Sequence, residues 1–258
     1  MSMPSLIYLD NNATTRVAPE AAAAMAPFLN EEYANPSSVY PFAGESAAAI
    51  RNSRAALASL LGCHPAEIIF TSCGSESDNA ALRSAVRTQT GRRRILTTVV
   101  EHPAILNTCR DLAEYAGAHI DYLHVDSKGR IDLAEAEKLI TEDTAIVSIM
   151  FANNEIGNIY PIAQLAKIAH AKGALFHTDA VQTIGKIPID LQNELADVDF
   201  LSLSAHKFHA PKGIGALYRR AGVPFAPFQT GGHQENGLRA GTENVASIAA
   251  MGCAAKLA

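Results

Sequence analysis

The chain has 258 residues, 48% of them hydrophobic and 18% charged, with 21 Lys and Arg against 26 Asp and Glu. That is enough apolar material for one large core and too little positive charge for a nucleic-acid footprint, and the lone basic run, Arg92 to Arg94, reads as a solvated loop. Four cysteines without C-x-x-C spacing indicate neither a zinc site nor a disulfide framework; with no leader-like N-terminus and no run near 18 apolar residues, a cytoplasmic protein with no membrane span is expected.

In chain order, "PEAAAAMAPFL" reads as one helix with Pro19 in its first turn, and "GESAAAIRNSRAALASLLG" as a second. Seven β-rich apolar runs follow, at residues 67–72, 94–100, 119–125, 144–151, 174–180, 198–205 and 213–219. Helical stretches at 76–88, 103–116, 132–140 and 161–171 separate most of them. This alternation predicts an α/β fold, a mainly parallel seven-stranded sheet with helices on both faces. Only "HKFHAPK" joins the last two runs, too short for a crossover, so that pair is expected to be antiparallel.

Ligands of such sheets collect at the carboxyl ends of the strands. Those ends are polar here: "CGSESDNA", "EHPA", "ANNEIG" and "TDAVQ". "CGSES" offers a glycine turn, Ser75 as a helix N-cap, and Glu76 and Asp78 in the first turn, a place where backbone N–H groups can hold a phosphate. Lys207 follows a strand directly. Most lysines are solvated, but an amine in a partly desolvated pocket has a lowered pKa and can form a Schiff base; Lys212, in the turn "PKG", is better placed for solvent. A pyridoxal phosphate cofactor needs a carboxylate for its ring nitrogen as well, and Asp179 could supply it. His206 and His209 have H-x-x-H spacing, but no third ligand is near and Lys207 opposes a cation, so no metal is expected. His102 is either a loop histidine or an acid/base group against a cofactor.

Eight blocks, "YLDNNATT", "NPSS", "TSCGSESDNAAL", "TTVVEHPA", "ANNEIGNIYPI", "FHTDAVQTIGKIPIDL", "HKFHAPKGIGAL" and "GGHQENGLRAGTENV", together resemble the cysteine desulfurases, pyridoxal-phosphate enzymes of fold type I in the class V aminotransferase group. Within them the blocks most resemble the branch associated with nitrogen fixation. The resemblance implies Lys207 as the Schiff-base lysine, His102 stacked on the ring as acid/base, Asp179 on the ring nitrogen and Gln182 on the phenolic oxygen. It implies Asn154 near cofactor and substrate, Gly74, Ser75, Ser204 and His206 on the phosphate, and Thr242 reaching the phosphate of the other subunit of a homodimer. Asn12, Ala13 and Thr14 would line the substrate entrance, within an N-terminal segment 1–20 preceding a cofactor-binding domain 21–258. The implied reaction converts L-cysteine to L-alanine and passes sulfur, as a persulfide on an enzyme cysteine, to an iron–sulfur scaffold protein. The resemblance places that cysteine and a small domain beyond residue 258, and none of Cys63, Cys73, Cys109 and Cys253 sits in its context. A selenocysteine lyase or related C–S lyase, and a cofactor-binding fragment acting only as a scaffold, are the alternatives.

Overall fold

The protein is described here by a computed structural model covering residues 7–258; the first six residues of the expected N-terminal segment lie outside the described residues. Seven strands form one sheet: β1 (Ile68–Thr71), β2 (Arg94–Thr98), β3 (His119–Leu123), β4 (Thr144–Ser148), β5 (Leu175–Asp179), β6 (Phe200–Ser204) and β7 (Gly215–Arg219). Their order across the sheet is β1-β7-β6-β5-β4-β2-β3. Every pairing from β3 through to β6 is parallel. β7 alone runs the other way, antiparallel to both β6 and β1. The short "HKFHAPK" connection therefore makes the antiparallel pair its length demands.

The helices are α1 (Pro19–Met25), α2 (Pro27–Asn30), α3 (Gly44–Leu61), α4 (Gly74–Thr88), α5 (Pro103–Ala116), α6 (Leu133–Leu139), α7 (Ile162–Ala171) and α8 (Val245–Leu257). The single helix expected over "PEAAAAMAPFL" is divided at Ala26. Pro27 brings no N–H, and its ring crowds the carbonyl of the preceding turn, so the ladder restarts as α2.

Two apolar layers cover the sheet, and period-two alternation sorts the strand residues between them. Leu96, Val147, Phe176, Leu201 and Leu203 pack into the layer that includes α3, α7 and α8. Ile95, Ile146, Leu175 and Phe200 face the other way, against Ala81, Leu82 and Ala85 of α4 and Ile105 and Leu112 of α5. That second face changes character along the strands. Two and four residues further on it carries Ser148, His177, Asp179, Ser202 and Ser204, all buried. The core is thus apolar at the amino ends of the strands and polar at their carboxyl ends, directly beneath α4.

Candidate active site

A cavity of about 620 Å³ opens at those carboxyl ends. It lies within the roughly 300–1,000 Å³ range of small-molecule sites. Its walls include Asn12, Ala13, Gly74, Ser75, His102, Asn154, Asp179, Gln182, Ser204, His206 and Lys207, residues drawn from every part of the chain. Two expected residues stand apart. Thr14 is outside the lining and bonds His206 Nδ1 through its hydroxyl at 3.0 Å. Thr242 lines a separate cavity of about 200 Å³ with Arg239, Glu235 and Phe70.

One wall is the start of α4, where the structure corrects the expected cap. Cys73, in extended backbone, is the N-cap; Gly74 opens the helix, and Ser75 lies inside its first turn. The first turn is closed instead by Glu76, whose carboxylate accepts the Ser72 N–H at 2.7 Å and pairs with Arg239 at 2.8 Å. Burial pushes the Glu76 carboxyl up, but the bonds from Arg239 and Ser72 outweigh it and hold it below its ordinary value. Asp78 is not a first-turn surface acid; it is buried and lines the cavity floor. Glycine is required at the helix start because a Cβ on Gly74 would meet Val181 Cγ2 at 2.7 Å. Gly215 of β7 is similarly confined, since its Cβ would meet the Cys73 carbonyl carbon at 2.7 Å.

Lys207 lies in a short 3₁₀ turn after β6. Its Nζ donates to the carbonyls of Asn12 and, at 2.9 Å, of Ala13, so the N-terminal segment closes over the amine. Burial lowers the Lys207 pKa, while the charges of Asp179 and Asp10 oppose that fall. Lys212 is exposed, as its turn predicts. Asn12 is a hub: its carbonyl also accepts Gln182 Nε2 at 3.0 Å, and its side chain donates to the Asn154 carbonyl at 3.1 Å. His206 is lowered by burial and then by Lys207 and Lys212. His209 diverges from it, with Nδ1 on the Arg16 carbonyl at 3.0 Å.

Asp179 ends β5. Its Oδ1 accepts the Val181 N–H at 2.9 Å, with no bond assigned to Oδ2. Burial raises the Asp179 pKa against the Val181 bond and the charges of His102 and Lys207. His102 caps α5, its Nδ1 accepting the Ala104 N–H at 3.1 Å, so the proton of the neutral ring sits on Nε2. Glu101, the residue before it, is a buried acid that sequence reasoning did not single out. Its buried carboxyl accepts the Thr98 hydroxyl at 2.7 Å and the Met150 N–H at 3.0 Å, tying the ends of β2 and β4 together. Burial pushes it up to about 8. The only sequence signal was an acid directly after an apolar strand. Cys73 is half-buried in the cavity wall, whereas burial pushes the Cys63 and Cys109 thiols up to about 12.

The arrangement can hold an anion at the start of α4 and a cationic ring atom at Asp179, with the Lys207 amine lining the same cavity. The sequence model of the class-V aminotransferases matches residues 7–258, and the chain belongs to that family. It is 54% identical over 254 residues to "Cysteine desulfurase 2" of Trichormus variabilis, covering 98% of this chain and 63% of that protein. It is 51% identical over 253 residues to "Cysteine desulfurase NifS" of Azotobacter vinelandii, covering 98% and 62%. The chain therefore spans less than two thirds of the length of these relatives. Among solved structures, a "NIFS-LIKE PROTEIN" superimposes with a TM-score of 0.93 at 45% identity, covering 97% of this chain and 69% of that one. "SspA in complex with cysteine" does so with a TM-score of 0.91 at 37% identity, over 96% and 72%. No helix among the described residues is long and apolar enough to cross a membrane.

Proposed function

We propose that these residues form the cofactor-binding part of a cysteine desulfurase, a cytoplasmic homodimer that takes L-cysteine to L-alanine. Sulfur is carried off as an enzyme persulfide for iron–sulfur cluster assembly, with nitrogenase clusters the destination favoured by the resemblance of the sequence blocks to the nitrogen-fixation branch. The observation that supports this best is the meeting, in one cavity, of a buried carboxylate, a lysine of lowered pKa, a capping histidine and a glycine-led helix start. These groups fit pyridoxal phosphate. Asp179 keeps one carboxylate oxygen for the ring nitrogen, the confined Gly74 lets backbone N–H groups approach a phosphate, and the cavity volume suits a cofactor with a small substrate.

Bound there, pyridoxal phosphate supplies an electron sink for charge developing at the substrate α-carbon. Asp179, ionised, holds the ring nitrogen protonated. Lys207, whose burial favours the neutral amine, would take and return a proton at the substrate α-carbon. His102, fixed through Nδ1, presents Nε2 as the second proton-handling atom. Gly74, Ser75, Ser204 and His206 would hold the phosphate, and Gln182 the phenolic oxygen. Thr242 lies on the 229–244 loop, away from its own cavity, which fits a role at the partner's phosphate. Asn12, Ala13 and Asn154 bound the substrate side, where the Asn12 side-chain bond to Asn154 joins the two segments.

Borohydride reduction of the purified protein followed by peptide mapping tests the reading. A pyridoxyl label on Lys207 is expected; a label on Lys212, or none on any lysine, refutes it.

A further inference from the structure

Two anions have a claim on the start of α4. The unpaired N–H groups of a first helical turn attract an anionic ligand, yet Glu76 already brings a carboxylate there, accepting the Ser72 N–H at 2.7 Å. Arg239 meets that carboxylate with a fork, Nε on one oxygen at 2.8 Å and Nη2 on the other at 3.1 Å. The pair is largely shielded from water, the Glu76 side chain being 9% exposed and that of Arg239 20%. Among the described residues no other cation forms an ion pair with Glu76.

The 229–244 loop carries Arg239 to this place, and the loop is anchored without it. Glu235 takes a two-pronged bond from Arg54 at 2.8 and 2.6 Å and accepts the Phe70 N–H of β1 at 2.9 Å. Gln229 donates to the Ala240 carbonyl at 2.7 Å, and Gln234 accepts the Gly241 N–H at 3.1 Å, so the residues just after Arg239 are held as well. Holding the loop therefore does not account for the Arg239 pair. The other charges that act on the guanidinium, Glu235 and Glu243, are acids, and Glu235 is already taken up by Arg54. No neighbouring cation is left to replace Arg239 beside Glu76.

We propose that Arg239 is a positioning residue of the anion site at the start of α4: it holds the Glu76 carboxylate on the Ser72 side of the turn and cancels its charge, which leaves the cavity-lining Gly74 and Ser75 N–H groups to a phosphate. Unpaired, the same carboxylate is a second anion within the first helical turn, and like charges so close repel strongly where water screens them poorly. The effect falls on the phosphate alone, because a ligand without that group has no charge there to be repelled. The proposal rests on the reading that the cavity takes a phosphate-bearing cofactor. To that reading it adds the residue, 163 positions from Glu76, that makes the turn receptive.

Affinities of the full-length purified protein, stripped of cofactor, test this: pyridoxal phosphate and pyridoxal by absorbance titration, inorganic phosphate by calorimetry. Arg239→Met should weaken pyridoxal phosphate and inorganic phosphate on the order of tenfold, as one unpaired charge in a poorly screened turn would, and leave pyridoxal unchanged. Glu76→Gln alone keeps an oxygen for the Ser72 N–H and should weaken none of the three. Added to Arg239→Met, it should restore both phosphate affinities, because the repelling charge is gone. Phosphate affinities that Arg239→Met leaves unchanged overturn the proposal. So does pyridoxal falling in step with pyridoxal phosphate, or a double variant as weak as Arg239→Met, since the pair would then only brace the loop. Where Arg239→Met does not fold, Glu76→Gln decides alone, as it breaks the same ion pair: weakened phosphate binding overturns the proposal, and unchanged or tighter binding upholds it. Inorganic phosphate that follows the expected pattern, in a protein that takes up no pyridoxal phosphate, leaves the role of Arg239 standing and refutes the proposed function.

Discussion

Replacing Glu101 by Gln removes a buried acid whose charge the fold opposes, and the consequence is a change in how stability depends on pH. The carboxyl is raised from an ordinary 4.5 to about 8, chiefly by burial and partly by Asp179, against the bonds from Met150 and Thr98. Between those two values the folded chain holds a proton that the unfolded chain has released. Stability from this group is therefore fully present below 4.5 and is lost as the pH rises toward 8. At about 1.4 kcal/mol per unit, the three units between pH 5 and pH 8 amount to roughly 4 kcal/mol. Gln carries no titrating proton and keeps a carbonyl to accept the Met150 N–H. Urea denaturation of both proteins at pH 5 and pH 9 checks this. The wild type should lose roughly 4 kcal/mol more than Glu101→Gln between the two conditions, since groups common to both cancel in the difference. Parallel losses would mean that Glu101 is ionised in the folded protein at neutral pH and that its bonds alone offset its burial.

Gly74→Ala forces a Cβ to 2.7 Å from Val181 Cγ2, so about 1–3 kcal/mol of stability should be lost and pyridoxal phosphate held more weakly, by thermal denaturation and absorbance titration. Glu235→Ala leaves Arg54 without its bidentate partner and the Phe70 N–H without an acceptor, at a cost of about 3–5 kcal/mol. With each kcal/mol worth roughly 2–4 °C in a domain of this size, a melting temperature lowered by less than 5 °C would contradict that account. His170 is raised by its bond to Asp199, against burial, so its contribution is present below the ordinary histidine value and lost as pH rises through the raised one. His170→Ala should accordingly cost more at about pH 5.5 than at about pH 9; the opposite order in denaturant titrations would refute the pairing.

The strands were legible because buried parallel strands are nearly continuous apolar runs. Their ends were not. The run 144–151 is regular strand only to Ser148, although the Ile149 and Phe151 N–H groups still bond the His177 and Asp179 carbonyls and the segment stays buried. The break at Pro27 was visible in the letters, but the alanine run on its left masked it. Lys207, Asp179, His102 and the Gly74–Ser75 turn stood out because each sits at the end of an apolar run, a contrast that needs no tertiary knowledge, whereas Asn12, Ala13, Asn154, Gln182 and Ser204 were marked by the family resemblance. Glu76 and Asp78 show where this fails. Both are acids near a helix start, and sequence treats them alike, yet one meets Arg239 from 163 residues away while the other turns inward beneath the sheet. Only the rotation of α4 on the sheet separates them. Thr14 and Thr242 were marked by the family resemblance, and their geometry depends on a histidine 192 residues away and on a loop with its own cavity.

That rotation also explains why so many acids can be buried here. Asp179 lies at the carboxyl end of β5 on the face that opens with Leu175 at the other end, Asp78 lies on α4 in the same cavity lining, and Glu101 lies just beyond the end of β2. A core that was polar throughout could not hold its layers together, and one that was apolar throughout would have no group to orient a ligand. The division along a single sheet face lets the apolar half supply the packing while the polar half keeps charges that burial disfavours. Lys207 and His102 face the same cavity and act on Asp179 alone among the three, so the one carboxylate with cations beside it is the one that can remain ionised. Which acid carries the charge is thus decided by which strand end faces the lysine, a property of the β5 and β6 pairing rather than of any residue by itself.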